Sequence, residues 1–285
     1  MASFDELGYI VVPDLFDQPT IDKFLAHFHD LCAGRAEAPV SMQKVRDVVL
    51  AKSGRQANSE ESLTKIQDFQ DDPVLFDYCK DPRMIPYVQQ LIGSDLRSCH
   101  TMLINKPPDL GKGTSRHPLH QDLYYFPFRG PILTAWTAME HIHQGNGCLI
   151  VVPGSHKGEL LPHGYPDWDD NNAAYHGIQG LDMNEVKYVH LEMQRGDTVF
   201  FHPLLWHGSG KNKTSGYRKA ISCHYCNSHC KFVDTANTVQ DVIAKEVEGI
   251  AEKKLKKMGI EAELAFADIW RMRSRLIQGE NGLEW

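Results

Sequence analysis

The sequence has no apolar run near the roughly 20 residues a membrane-spanning helix needs; the longest obvious one is Cys148-Leu149-Ile150-Val151-Val152. It has no excess of positive charge. Its 30 Lys and Arg stand against 37 Asp and Glu, a formal net charge of −7, which argues against a general nucleic-acid binder. The opening Met1-Ala2-Ser3-Phe4-Asp5-Glu6 carries neither the basic start nor the apolar stretch of a secretory signal. Cysteine is sparse and odd in number, 7 in 285 residues. No disulfide framework is expected, at least one thiol is free, and a reducing interior is the default. Gly282-Leu283-Glu284-Trp285 is not a Ser-Lys-Leu-type peroxisomal address. Internal repeats and low-complexity segments are lacking too. What is present is ordinary globular composition, 42% hydrophobic and 24% charged, enough for a sizeable core. Histidine is the exception, at 15 residues.

Periodicity divides the chain into three textures. Gly8-Tyr9-Ile10-Val11-Val12 reads as a strand, followed by a helix capped by Asp17 with Pro19 in its first turn. Ile21, Phe24, Leu25, Phe28, Leu31 and Cys32 would form its apolar face. Residues 37–61 are polar and irregular. A second helix holds Met84, Ile85, Tyr87, Val88, Leu91 and Ile92, with Gly93 ending it. Short apolar runs at 99–105, 133–139, 148–152, 186–191, 198–202 and 220–225 are punctuated by Gly, Pro, Asn and Asp, which predicts a sandwich or barrel. A last helix carries Val239, Val242, Ile243, Val247, Ile250 and Ala251 on one face, with Lys253, Lys254, Lys256 and Lys257 as a solvated end. The expected fold is mainly β with flanking helices. One domain, 1–285, is expected, with a helical N-terminal part (about 1–97), a β core (about 98–230) and C-terminal helices (about 235–278).

The segment that carries the most chemistry is His117-Pro118-Leu119-His120-Gln121-Asp122. In a strand, residues i and i+2 share a face, so His120 and Asp122 would present an imidazole and a carboxylate together. These are two of the three ligands of the 2-His-1-carboxylate triad of non-haem Fe(II) oxygenases. The tripeptide alone is weak. A second His must come from a distant strand, and His202 and His207 both offer themselves. Arg218 lies eleven residues past His207. A 2-oxoglutarate site needs such a guanidinium: the keto acid chelates iron at one end and its far carboxylate needs a cationic, hydrogen-bonding partner. The Arg offset favours His207 over His202, and Ser209 could donate a hydroxyl to the same carboxylate. His117, with Leu119 rather than a carboxylate two residues on, reads as a loop or supporting residue.

Around these residues the sequence resembles the phytanoyl-CoA dioxygenase family. The resemblance is carried by Pro118-Leu119-His120-Gln121-Asp122-Leu123, Tyr125-Phe126-Pro127-Phe128-Arg129 and Ala135-Trp136-Thr137-Ala138-Met139-Glu140-His141. Asn146-Gly147-Cys148-Leu149, Phe200-Phe201-His202-Pro203-Leu204-Leu205, His207-Gly208-Ser209-Gly210 and Arg218-Lys219-Ala220-Ile221-Ser222-Cys223-His224 extend it, with Thr64-Lys65-Ile66-Gln67-Asp68-Phe69-Gln70 and residues 100–108 upstream. It implies a double-stranded β-helix (jelly-roll, cupin-like) core and hydroxylation of C2 of a branched fatty acyl-CoA, with release of succinate and CO2. It also implies Fe(II), 2-oxoglutarate and O2, with ascorbate as a reductant. At matching positions His120, Asp122 and His207 would bind the metal. Lys65, Met102, Gln121, Trp136, Ser209 and Arg218 would line the keto-acid site. A peroxisomal location is implied, but the Arg-Leu-x5-His-Leu leader of that family is not seen here. A cytoplasmic enzyme is the expectation if the sequence is complete.

Within that resemblance, Asp122 separates hydroxylation from halogenation, because the halogenating relatives replace the carboxylate with a small residue. Three alternatives remain open: the same chemistry on another small molecule, a non-catalytic cupin-like metal-binding protein, and a zinc knuckle at Cys223-His224-Tyr225-Cys226 with His229-Cys230. In a strand, Cys223 and Tyr225 would face one way and His224 and Cys226 the other, so a single tetrahedral site is hard to close. Lys106, Lys112 and Arg116 flank a loop that is a candidate for contacting CoA phosphates.

Overall fold

The computed structural model describes residues 2–46, 60–109, 111, 115–168 and 171–285. Helix α1 (Ala2–Leu7) leads into β1 (Tyr9–Val12) and α2 (Gln18–Ala33). The Asp17 carboxylate accepts from the Thr20 N–H at 2.9 Å, and Gly34 ends α2 in the left-handed region at φ 70°. Ile21, Phe24, Phe28 and Leu31 are its buried face, as the 3.6-residue period requires. Strands β2 (Gln43–Arg46) and β3 (Leu63–Gln67) follow, then α3 (Asp77–Lys80) and α4 (Ile85–Ile92). The β core runs through β4 (Leu96–Lys106), β5 (His117–His120), β6 (Phe128–Arg129), β7 (Ile132–Ala138), β8 (Leu149–Val151), β9 (His163–Gly164) and β10 (Gly177–Ile178). It continues with β11 (Val189–Leu191), β12 (Thr198–Phe201), β13 (His207–Ser209), β14 (Arg218–Asn227) and β15 (Lys231–Phe232). The last elements are α5 (Asp241–Lys257), α6 (Phe266–Arg273) and β16 (Arg275–Gln278).

A major sheet has the order β1-β12-β7-β14-β4-β3-β2, with β16 also beside β4; a minor sheet has the order β11-β8-β13-β5. Between β4 and β14 the chain passes back and forth: β4, β7, β12 and β14 lie in the major sheet, β5, β8, β11 and β13 in the minor. That alternation is a double-stranded β-helix. Trp136, Ala138, Val199, Phe201 and Ala220 pack from the major sheet against Leu149, Val151 and Leu191 of the minor. The other face of the major sheet, with Leu133, Ala135, Phe200, Ile221 and Tyr225, packs against Phe24, Phe28, Tyr78 and Val88 of the N-terminal helices. Each fully buried Phe contributes about 1.5–3 kcal/mol over leaving it exposed. Both faces are covered, so these strands read as nearly continuous apolar runs, and alternation decides which layer each side chain enters.

Three details differ from the sequence reading. Beside the expected strand β1, which pairs with β12, the N-terminal part supplies two strands not read from sequence, β2 and β3, which extend the other side. The polar strand β16 was not signalled by any alternation. In α5 only Ile243 and Ala244 are buried; Val242 is 60% exposed and Val239 precedes the helix. All seven cysteines are free. Cys223 lies in the cluster with Cys79 and Tyr225, Cys226 in another with Cys99 and Cys230. The strand alternation thus separates the would-be zinc ligands.

Candidate metal centre and keto-acid pocket

His120 ends β5, and its partner across the antiparallel pair is His207 of β13. Register alone therefore brings the two imidazoles together, with ring centroids 4.1 Å apart. Asp122 arrives differently from the strand expectation. The strand stops at His120, and Asp122 opens a 3₁₀ turn, Asp122–Tyr125, which swings its carboxylate to the same point. Asp122 Oδ1 lies 3.4 Å from His120 Nε2 and 3.5 Å from His207 Nε2. Among the described residues, no other three His, Cys, Asp or Glu bring their ligand atoms this close.

The second atoms of these ligands show what the first are prepared for. His207 Nδ1 donates to the Leu205 carbonyl at 3.0 Å and His120 Nδ1 to the Pro118 carbonyl at 2.9 Å. Each Nε2 lone pair is then free, the tautomer a metal-binding imidazole needs. Burial pushes the His207 pKa down to about 4, so the ring is neutral at neutral pH. Burial by itself would push the Asp122 carboxyl up. The surrounding imidazoles, with the hydrogen bond that His224 donates, outweigh it and hold the group well below its ordinary range. Asp122 Oδ2 accepts from Thr134 Oγ1 at 2.8 Å and from His224 Nε2 at 3.0 Å, leaving Oδ1 for the centre. Two imidazole nitrogens and one carboxylate oxygen on one side of a point fit a divalent first-row ion such as Fe(II).

A cavity of about 120 Å³ runs from this triad to Arg218 and is lined by Lys65, Met102, Trp136 and Ser209 among others. Arg218 begins β14 opposite Lys106 of β4. Its guanidinium is buried, lies 5.3 Å from the centre of the Trp136 ring and donates to the Gly147 carbonyl at 2.9 Å. Its Nε and Nη1 have no partner among the described residues. Burial pushes its pKa down to about 10, still cationic at neutral pH. A buried cation with unmet donors facing a cavity calls for an anion. Ser209 Oγ accepts from the Lys106 amine at 2.9 Å, so its own hydrogen can point into the cavity. Lys65 and Met102 lie where this cavity meets a larger one, and burial pushes the Lys65 amine down to about 8.

Two expectations are corrected. Gln121 does not line the cavity: its amide donates to the Glu159 and Leu204 carbonyls at 3.0 and 3.1 Å and accepts from the Leu161 N–H, tying the metal segment to the loops behind it. The alternation that points His120 inward points Gln121 outward. Lys106 is not a loop cation awaiting CoA phosphates. Its buried amine is spent on Ser115, Ser209 and Gly210, and burial beside Arg218 pushes its pKa well below the lysine range. Arg116 stacks on the Trp168 ring, and Lys112 lies outside the described residues. His202 packs against His156 rather than joining the triad.

Four participants were not assigned to the site from sequence. Thr134 and His224 are direct partners across β7 and β14 and grip the same carboxylate oxygen. Arg218, Ala220, Ser222 and His224 alternate along β14, which was the available signal for His224. Thr134 had none. Lys106 was assigned elsewhere, and Tyr175, whose ring lies 4.4 Å from that of His117, sits in an irregular loop. A larger cavity of about 710 Å³ opens from the same centre, with His120, Asp122 and His224 in its wall, and extends under α5 and α6.

The family model described as Phytanoyl-CoA dioxygenase (PhyH) matches residues 4–220. A probable phytanoyl-CoA dioxygenase of Caenorhabditis elegans is 51% identical over 286 residues, covering 97% of this chain and 91% of that protein. The peroxisomal phytanoyl-CoA dioxygenase of Homo sapiens is 50% identical over 280 residues, covering 97% and 81%. Among solved structures, the epimerase SnoN in complex with Fe3+, alpha ketoglutarate and nogalamycin RO superimposes with a TM-score of 0.62 at 23% identity, over 82% of this chain and 85% of that one. EctD from S. alaskensis with 2-oxoglutarate and 5-hydroxyectoine gives 0.59 at 20% identity, over 80% and 74%. These structures share the double-stranded β-helix.

Proposed function

The chain belongs to the phytanoyl-CoA dioxygenase family, and from that premise we propose that it is an Fe(II)- and 2-oxoglutarate-dependent dioxygenase that hydroxylates C2 of a branched fatty acyl-CoA such as phytanoyl-CoA. One oxygen atom of O2 enters the substrate and the other enters succinate, as the keto acid loses CO2. The observation that carries this reading is the continuity of three parts: the His120, Asp122 and His207 triad, the small cavity ending at the unmet Arg218 guanidinium, and a large cavity opening from the same centre.

His120 and His207 would hold Fe(II) through Nε2 and Asp122 through Oδ1; bound there, the ion supplies the redox centre at which the keto acid and O2 react. The chain's own part is orientation. Arg218 and the Ser209 hydroxyl fix the far carboxylate of 2-oxoglutarate, so its keto end points at the triad. Trp136 and Met102 bound the cavity with apolar surface and exclude water from the reacting end. Thr134 and His224 hold the carboxylate ligand in one orientation. Residues 1–285 act as one catalytic unit in this reading. The peroxisomal names of the mammalian relatives support that compartment for this protein, and α-oxidation of branched fatty acids as the process.

The test is aerobic incubation with Fe(II), 2-oxoglutarate, ascorbate and phytanoyl-CoA. Succinate and 2-hydroxyacyl-CoA should form in equal amounts. Succinate with another small molecule but with no acyl-CoA would reassign the substrate, and metal binding without any keto-acid decarboxylation would make the protein a binding module.

A further inference from the structure

The large cavity has two unlike walls. One, from β2, β3 and β4 and the residues after β3, carries the polar side chains Gln43, Gln67, Asp68, Gln70 and His100 beside Val45 and Met102. The other is apolar and helical. Along α5 it consists of Val247, Ile250, Ala251, Lys254, Leu255 and Met258, spaced three and four apart on one face of the helix. A stripe of this kind normally seats on a core. Here only Ile243 and Ala244 of the helix are buried, Val247 packs at the edge of the core, and the stripe beyond them lines the cavity, with Ile250 and Met258 41% and 51% exposed. Leu264, Ile269 and Met272 add to the wall from α6 and its approach.

This wall is held at a set distance from the metal centre. The Gln240 side chain, just before α5, donates to the Leu123, Tyr124 and Phe126 carbonyls at 3.1, 3.0 and 2.9 Å. Those carbonyls belong to the turn that Asp122 opens and to the residue that caps it. The Phe266 N–H donates to Glu248 at 2.8 Å and ties α6 to α5. At the rim Lys254 is exposed, and no acidic partner is paired with it among the described residues. An apolar wall with a free cation at its edge suits an amphipathic anion.

The reaction places C2 of the substrate at the triad, and the alkyl chain and the thioester arm both leave from that carbon. We infer that the α5–α6 wall, centred on Ala251 and Leu255, seats the alkyl chain of the acyl-CoA. The opposite polar wall faces the amide-bearing pantetheine arm, and Lys254 meets an anionic group at the rim. This inference rests on the acyl-CoA reading above.

Binding without turnover tests it. The full-length protein, loaded with Fe(II) and 2-oxoglutarate under anaerobic conditions, is titrated by calorimetry with straight-chain acyl-CoA esters of increasing length. Affinity should rise with each methylene, by up to about fourfold. In Ala251→Trp, which fills the wall with an indole, that rise should flatten, and the longest ester should bind roughly tenfold more weakly. Met258→Arg, at the exposed mouth where the fold does not depend on it, should flatten the rise too. Affinity independent of chain length, or a rise that survives in both variants, overturns the inference. Because no O2 is present, either result stands apart from the succinate assay: acyl-CoA hydroxylation with a chain-length-blind wall removes this site alone, whereas no hydroxylation of any acyl-CoA removes the function.

Discussion

His224 stands across the strand pair from Thr134, and its Nε2 lies 3.0 Å from Oδ2 of Asp122. Its Nδ1 has no partner among the described residues, so the hydrogen belongs on Nε2 and the ring donates. The carboxylate ligand is thus held at one oxygen by the protein and offers the other to the metal. Replacing His224 with Ala should weaken Fe(II) binding about 10- to 100-fold, the usual range for a lost outer-sphere partner. Equilibrium dialysis under anaerobic conditions measures it, and Thr134→Val should act in the same direction. Unchanged affinity in both variants would show that Asp122 needs no such support.

Arg218 should govern the keto acid rather than the metal. Its Nε and Nη1 are buried with no partner among the described residues, so a bound carboxylate relieves an unmet charge. Arg218→Gln should raise the KM for 2-oxoglutarate by about 30-fold or more, from a loss of roughly 2 kcal/mol upward for a buried charged pair. Arg218→Lys should not restore it, because an ammonium cannot reproduce the planar fork. Adding 2-oxoglutarate should raise the melting temperature of the wild-type protein and of neither variant.

Gly147 should matter to the same step from outside the cavity. Its carbonyl accepts from Arg218 at 2.9 Å, its φ is +81°, and a Cβ placed there would lie 2.7 Å from the Gly210 carbonyl oxygen. Backbone cannot yield as a side-chain tip can. Gly147→Ala should therefore destabilise the fold and displace Arg218, raising the KM for 2-oxoglutarate while metal affinity stays near wild type. Equal losses in metal and keto-acid binding would instead mean general unfolding.

Acid should destabilise the fold in part through His163. Its Nε2 accepts from the Gln121 N–H at 3.0 Å and its Nδ1 donates to the Leu161 carbonyl at 2.7 Å, so the folded protein uses the neutral ring. Burial pushes its pKa down to about 3, whereas an unfolded histidine titrates near about 6.5. Between those values only the unfolded chain takes up the proton. The stabilising contribution is complete above about pH 6.5 and is lost as the pH falls from there toward 3. Melting temperatures measured from about pH 7 to pH 5 should fall less steeply in His163→Gln than in the wild-type protein. Identical slopes would rule this histidine out as a source of acid sensitivity.

The elements legible in the sequence were those set by local periodicity. The α2 cap and buried face, the α4 boundary at Gly93 and the approximate extents of β4, β7, β12 and β14 all follow from residues a few positions apart. The short separation of His120 and Asp122 and the Arg218 offset from His207 were visible for the same reason. Gln121, Lys106 and α5 were misread because each depends on what lies across from it. Gln121 satisfies carbonyls of remote loops, and Lys106 is drawn inside by Ser209 and Gly210 about a hundred residues away. The α5 stripe reads only as one apolar face, because period tells which residues share a face and not whether protein or cavity faces them.

By itself the sequence determined the ligand types, their order along the chain and the alternation that turns Arg218, Ser222 and His224 to one side of β14. These are properties of covalent spacing and backbone geometry. Only the tertiary structure decided that His207 pairs with His120, that a 3₁₀ turn delivers Asp122, and that Thr134 and His224 share one carboxylate oxygen. Register between distant strands is chosen by the burial of whole faces, a sum over many residues that no single motif contains. The same global packing leaves the Arg218 guanidinium in the dark with donors unmet, and so marks where an anion belongs.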